Sequence, residues 1–447
     1  MNSAASRRVV ITGMGLVSPL GNSLAGLWEA LVARRSGVGP LQSVPPNGVP
    51  TQVSAEARQF VGDVDEFGPL DKERKKTIKK AMKVMCRESQ MAIVAAHLAL
   101  TDAGLRPEST DPERAGCVFG SDYMLTEPQE LAEGILKCGG REGAFEFSRW
   151  GVEGLEQMTP LWMLKYLPNM PASHIAILND LRGPSNSITH REASSNLALG
   201  EAYHTIARGS ADRMVAGATG TRVHPMKAVH AAQSEQLAVG NGDPTKASRP
   251  FDRHRSGMVL GEGAASVILE ELETARARGA RIYGEVVGAA SSSVADRNRV
   301  AQRDVALANA MRSAMRQSLG IKNGATVNAA DVEMGHINAH GLSTLTSDAD
   351  EYRALQAVFG ERADQIPVVA PKSYFGNLGA ASGLVELIAS MLAMQEGRLF
   401  PILNYETPDP DCPILAVQDD ATPPGDSFLN LSVTPQGQAA VVMVRAI

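Results

Sequence analysis

Residues 183–200 (GPSNSITHREASSNLALG) constrain the fold more than any other stretch. Gly183 and Pro184 punctuate the approach, a short strand follows, and a helix opens near Glu192. Leu197, Ala198, Ala202 and Ile206 keep one apolar face, while Ala198, Gly200 and Ala202 let a neighbouring element approach closely. Such a helix belongs in an interior. At its start the unpaired backbone N–H groups and the positive dipole end favour an anion. Many enzymes seat a nucleophile at a strand-to-helix turn for this reason. Here the turn offers Glu192, with no cysteine nearby.

The rest of the chain supplies a large soluble-type background. With 447 residues it is long enough for about three average domains, or for two large ones sharing a core. A net charge of −6 gives no footing for nucleic acid. The one dense basic run, residues 72–80 (KERKKTIKK), reads as a solvated helix face or as a docking patch for an acidic partner. Cys86, Cys117, Cys138 and Cys412 lie far apart without a metal-type spacing, which predicts reduced, structural thiols. No apolar run approaches the ~20 residues a membrane span needs. Residues 1–8 lead into a strand without a signal-type core, so a cytoplasmic location without cofactor or metal is expected.

Strands and helices alternate. Residues 9–21 (VVITGMGLVSPLG) form a β-branched strand and Gly-rich loop, and Asn22 or Ser23 caps the helix that follows. Residues 72–104 read as one long helix, 115–121 as a buried strand, and 125–182 as an inserted helical cap. Further strands are read at 212–219, 283–287 and 439–445, the second sharing a weak Gly/Ser-rich likeness with the first strand of the chain. This pattern predicts an α/β layered fold with mostly parallel central strands, built from related halves of residues 1–270 and 271–447. Three strand-end turns carry chemistry: Glu192, His340, and the Lys372/Asn377 turn. Strand ends converge in open α/β sheets, so these groups are expected to meet. A carboxylate, an imidazole, an amide and an ammonium can move a proton or hold an oxyanion, but they include no evident covalent nucleophile.

Taken together, residues 9–21, 183–185, 211–217, 249–257 with 261–263, 338–344, and 371–373 with 376–381 resemble the β-ketoacyl-ACP synthases, in particular the synthase II branch. The resemblance implies a thiolase fold, with duplicated halves in a five-layered αβαβα sandwich, and decarboxylative condensation with malonyl-ACP. It also implies an acyl carrier protein as partner and a dimer, either of two copies or with an active ketosynthase. The family's nucleophilic cysteine falls on Glu192, its first histidine on His340, and its second on Asn377. Its lysine falls on Lys372 and that lysine's carboxylate partner on Glu386. The C-terminal Gly-rich gate falls on residues 432–437 (SVTPQG), without its phenylalanine and with Pro435 in place of a backbone donor.

The resemblance thus implies a family member without the nucleophile, a chain-length-factor-like or acyl-ACP-binding subunit. The other reading is a thioester enzyme that decarboxylates, hydrolyses or transfers a proton through Glu192, His340 and Asn377. Lys372 or His340 is expected to hold the Glu192 carboxylate, and Lys372 and Glu386 are expected to form a buried ion pair. Two roles are open to Arg191: neutralising Glu192, or facing a dimer partner.

Overall fold

The computed structural model describes residues 7–45, 47–106, 111–141, 143–240, 242–321 and 331–447; most of the lead-in at residues 1–8 lies outside them. The twelve strands among these residues are β1 (Val9–Val17), β2 (Gly39–Pro40), β3 (Val53–Ala55), β4 (Ala115–Ser121), β5 (Ser185–Thr189), β6 (Arg213–Thr221), β7 (Leu260–Glu271), β8 (Gly284–Ser293), β9 (His336–Asn338), β10 (Val368–Val369), β11 (Ser427–Val433) and β12 (Gln438–Arg445). Ten of them follow one path, β10-β9-β11-β12-β8-β1-β7-β6-β4-β5, while β2 and β3 attach beside β7.

The path is internally duplicated. From β1 outward the neighbours are β7, β6, β4 and β5; from β8 outward they are β12, β11, β9 and β10. In each set the first two pairings are antiparallel and the last two parallel. The sets join through an antiparallel contact of β1 with β8, Val9 opposite Val286. The expectation of mostly parallel central strands is therefore corrected. Parallel pairs occupy the flanks, and the middle is antiparallel because the last strand of each set returns beside its first.

Layering follows from where the apolar faces go. Helix Ser194–Ala207 packs against β4 and β6 of one set and β8 and β12 of the other, and it touches helix Ser382–Glu396. These two helices form the middle layer, and their small residues are almost wholly buried. One apolar cluster lies between that layer and the two sheet halves. A second lies under helix Arg87–Asp102 on the outer face of the first half, and a third under helices Arg303–Ser318 and Leu345–Phe359 outside the second. The result is the expected αβαβα arrangement.

Local signals were read correctly where caps and turns dominate. Ser23 caps helix Leu24–Val32, accepting from the Gly26 N–H at 3.1 Å. Residues 125–182, expected as an inserted cap, contain helices Pro128–Lys137 and Met170–Asn179. Residues 72–104 are not one helix, however. Helix Lys72–Ala81 ends, Met85 and Cys86 turn extended, and helix Arg87–Asp102 begins. The first piece buries only Ile78, whereas the second is locked inward, with Arg87 paired to Glu262 at 2.7 Å. Strand β11 was not read from the sequence at all. Among the described residues, no helix is long and apolar enough to cross a membrane.

Candidate functional site

The end of β5 makes a sharp elbow. Arg191 takes φ +49°, a conformation side chains seldom adopt, and the turn Arg191–Ala193 leads directly into helix Ser194–Ala207. Ser194 pins the elbow: its Oγ accepts from the His190 N–H at 2.7 Å and donates to the Ser121 carbonyl at 3.0 Å. The equivalent turn of the second set, Gly379–Ala381, leads into helix Ser382–Glu396. Asn196 and Asn430 tie the two helix starts together, Asn430 Nδ2 donating to Asn196 Oδ1 at 2.8 Å and to the Gly383 carbonyl at 2.7 Å.

Glu192 sits at the elbow with 1% of its surface exposed. Its Oε1 accepts from Arg222 Nη2 and, at 3.1 Å, from Asn377 Nδ2. The Asn377 amide is oriented by its other end, since its Oδ1 accepts from the Gly379 N–H at 3.0 Å. Arg191 Nε lies 3.6 Å from Glu192 Oε2, and both arginines pair with Glu235, Arg222 at 2.9 Å. Two guanidiniums and two carboxylates thus balance in one buried cluster. Burial alone would raise the Glu192 pKa; Arg222, Arg191 and the Asn377 amide reverse this and bring it to about 2.

This corrects one expectation and resolves another. Lys372 and His340 do not hold Glu192; Arg222 does, and Arg191 takes the neutralising role. Arg222 and Glu235 were not found from sequence. The available signal was an arginine directly following a strand of small and apolar residues, where strand ends form sites.

His340 lies two residues past β9 and is 1% exposed. Its N–H and that of Gly341 donate to Glu351 at 2.6 and 2.9 Å, which fixes the loop. Burial puts the Glu351 pKa at about 8 despite these two bonds. Lys372 Nζ donates to Glu386 at 2.5 Å and to the His340 carbonyl at 2.6 Å, and it lies 3.3 Å from His340 Nδ1. The expected Lys372–Glu386 pair is therefore present, buried on both sides.

An ammonium only donates, so Nδ1 presents its lone pair to Lys372 and the ring proton belongs on Nε2. Burial first, and the Lys372 charge second, hold the His340 pKa well below its usual value, so the ring is neutral. Among the described residues its Nε2 has no hydrogen-bond partner, nor has Glu192 Oε2. Asn377 Nδ2 and His340 Nε2–H are two buried donors near one carboxylate. Such a pair suits a thioester or oxyanion oxygen, but Asn377 is spent on Glu192.

The C-terminal segment closes as a hairpin. β11 runs into β12 through a turn in which the Gly437 N–H donates to the Thr434 carbonyl at 3.0 Å and the Thr434 N–H to the Gln438 carbonyl at 2.9 Å. All four cysteines are buried and free. Burial pushes the thiols of Cys86, Cys117 and Cys412 up to about 12. Native protein treated with iodoacetamide at pH 7.5 is expected to show no modification of these three cysteines within an hour, read by mass spectrometry; rapid alkylation of any of them would contradict their burial.

A duplicated αβαβα sandwich with two helix starts meeting at its centre is a thiolase-type fold. The sequence of this chain matches the family models "Beta-ketoacyl synthase, N-terminal domain" over residues 6–275 and "Beta-ketoacyl synthase, C-terminal domain" over residues 283–406. The chain belongs to the β-ketoacyl synthase family. It is 34% identical to a 3-oxoacyl-[acyl-carrier-protein] synthase 2 of Coxiella burnetii, over 93% of this chain and 92% of that one. It is 33% identical to a putative polyketide beta-ketoacyl synthase 1 of Streptomyces halstedii, over 93% and 92%. Among solved structures, it is similar to a type II polyketide ketosynthase in complex with its acyl-carrier protein (TM-score 0.81, 27% identity, 99% of this chain and 100% of that chain). It is also similar to the ishigamide ketosynthase/chain length factor (TM-score 0.80, 26% identity, 99% and 100%).

Proposed function

We propose that this chain is a non-condensing β-ketoacyl synthase homologue of fatty-acid or polyketide-type synthesis, with Glu192 in the nucleophile's seat. It serves as a chain-length-factor-like or carrier-protein-binding subunit. The observation that carries this reading is the state of Glu192: enclosed, ionised, and committed to Arg222 and Asn377. A carboxylate is a poor acyl acceptor, and its acyl anhydride would hydrolyse readily. Nor does Glu192 suit a general base, which works best with a pKa near the operating pH; about 2 is far from that. This weighs against the alternative in which Glu192, His340 and Asn377 process a thioester.

The surfaces suit an assembly role. Lys72, Lys76, Lys79 and Lys80 are exposed on helix Lys72–Ala81, matching an acidic carrier protein. Among the described residues β5 pairs only with β4, which leaves its other edge open, and its residues are largely exposed. Close by in the chain, Phe147, Val152, Leu161 and Ile177 are 77%, 72%, 66% and 76% exposed. An open strand edge and exposed apolar side chains fit a second subunit, a copy of this chain or a cysteine-bearing ketosynthase.

The test is incubation of the purified protein with malonyl-loaded carrier protein, with and without an acyl thioester. No carbon dioxide release, no condensation product and co-purification with a ketosynthase are expected. Turnover that Glu192→Gln abolishes would overturn the proposal. A cysteine-directed family inhibitor is expected to leave no adduct at position 192. Lys76→Glu with Lys79→Glu is expected to weaken carrier-protein binding about tenfold at low salt, with the difference fading at high salt; an unchanged dissociation constant would remove this helix from the docking surface.

A further inference from the structure

A cavity of about 720 Å³ opens on the outer face of the first half, walled by helices Lys72–Ala81 and Arg87–Asp102 and by the first residues of β4 and β6. β6 runs from this cavity at Arg213 to the residue before Arg222, nine residues at ~3.3 Å each, so the two regions are about 30 Å apart. None of the groups around Glu192 lines it.

Its polar side is unusual. Arg74 is half-buried, and its Nη2 donates to Asn179 Oδ1 at 3.0 Å and to the Leu178 carbonyl at 3.4 Å. Among the described residues no carboxylate lies in ion-pair range of this guanidinium, and its Nε and Nη1 have no acceptor. Asp71, also on the wall, is occupied as the helix cap, accepting from the Arg74 backbone N–H at 2.8 Å. Beside them His97 is 4% exposed with Nε2 unpartnered. The wall also carries Leu100, Leu105 and Met214, together with Thr101, Arg106 and Arg213, the last paired with Glu270 at 2.7 Å. A half-buried guanidinium with no carboxylate in ion-pair range has donors left for an anion, and the volume falls in the range of small-molecule sites.

We infer that this cavity binds a small monocarboxylate with an apolar body, its carboxylate on Arg74 and its chain along Leu100, Leu105 and Met214. The carboxylate accepts a single charge-assisted hydrogen bond, from Nε or Nη1, while Nη2 stays on Asn179 and Leu178. The apolar side chains then select an alkyl body over a bare anion. The site is independent of the chemistry proposed for Glu192.

The probe is sodium octanoate, titrated by isothermal calorimetry into the full chain, with 1-octanol and inorganic phosphate as controls. Saturable 1:1 binding of octanoate is expected, with both controls at least tenfold weaker. Arg74→Met is expected to weaken octanoate about tenfold or more, and Arg74→Lys to restore part of it. Circular dichroism checks that the variants are folded. Leu100→Phe, which fills the apolar wall, gives a second variant that leaves Arg74 intact and is also expected to weaken binding. No saturable binding, equal binding by Arg74→Met, or phosphate binding as well as octanoate would each overturn the inference. A Glu192→Gln variant that binds octanoate normally separates this site from the central one.

Discussion

Replacing Glu192 with alanine is expected to destabilise the fold by about 3–5 kcal/mol, the range for removing one partner of a buried ion pair. Arg222 is 3% exposed, and Glu235 alone cannot balance both Arg222 and Arg191. The loss is read as a lower urea midpoint at fixed protein concentration. Pairing the change with Arg222→Met is expected to recover much of it, because the buried charge then disappears with its partner. A single variant as stable as the parent would show that the cluster is not a stabilising unit.

The same pair has a pH signature. The Glu192 pKa is lower in the folded protein than in the unfolded chain, about 2 against about 4.3. Its contribution is present above the unfolded value and is lost as pH falls through the folded one. The stability gap between the parent and Glu192→Gln is therefore expected to stay constant from pH 5 to 8 and to close only below pH 4.

Lys372→Met is the second large effect, again about 3–5 kcal/mol. It strands Glu386, which is 0% exposed and bonded to Lys372 at 2.5 Å, and it removes the donor facing His340 Nδ1. Burial already raises the Glu386 pKa against the pull of Lys372. Without the ammonium that rise grows, so stability is full below the unfolded carboxyl value and falls as pH increases. Denaturation at pH 5 and pH 8 checks this. A variant equally stable at both would mean that Glu386 finds another partner.

Much of this architecture was legible because glycine-rich strand-to-helix turns are local signals. Residues 183–200 announced both an interior helix and its anionic start, and His340, Lys372 and Asn377 were marked by position at strand ends. What escaped depends on distance in space. Arg222 lies 30 positions beyond Glu192 in the chain, and nothing in its own neighbourhood names that target. The break at Met85 and Cys86 carries neither Gly nor Pro to mark it, and just past it Arg87 pairs with Glu262. β11 was missed although Leu429, Asn430, Leu431, Ser432 and Val433 alternate; both faces of the strand are buried, and residues 432–437 were read as the C-terminal gate. The Glu-for-Cys reading came from likeness to the family, and of the two arginines that receive the carboxylate only Arg191, its neighbour in the chain, was named beforehand.

The order of strands also sets a timetable for the ribosome. β1 ends at Val17, yet its partners are β7 and β8, with Val9 opposite Glu271 and Val286. At ~5–20 residues per second, the first strand waits about 13–50 s before its first neighbour is synthesised. During that interval its nine apolar and small residues, all buried in the finished fold, have no sheet to join. A nascent chain stopped before Leu260 is expected to recruit chaperones through β1, and one extended past Ser293 is expected to release them.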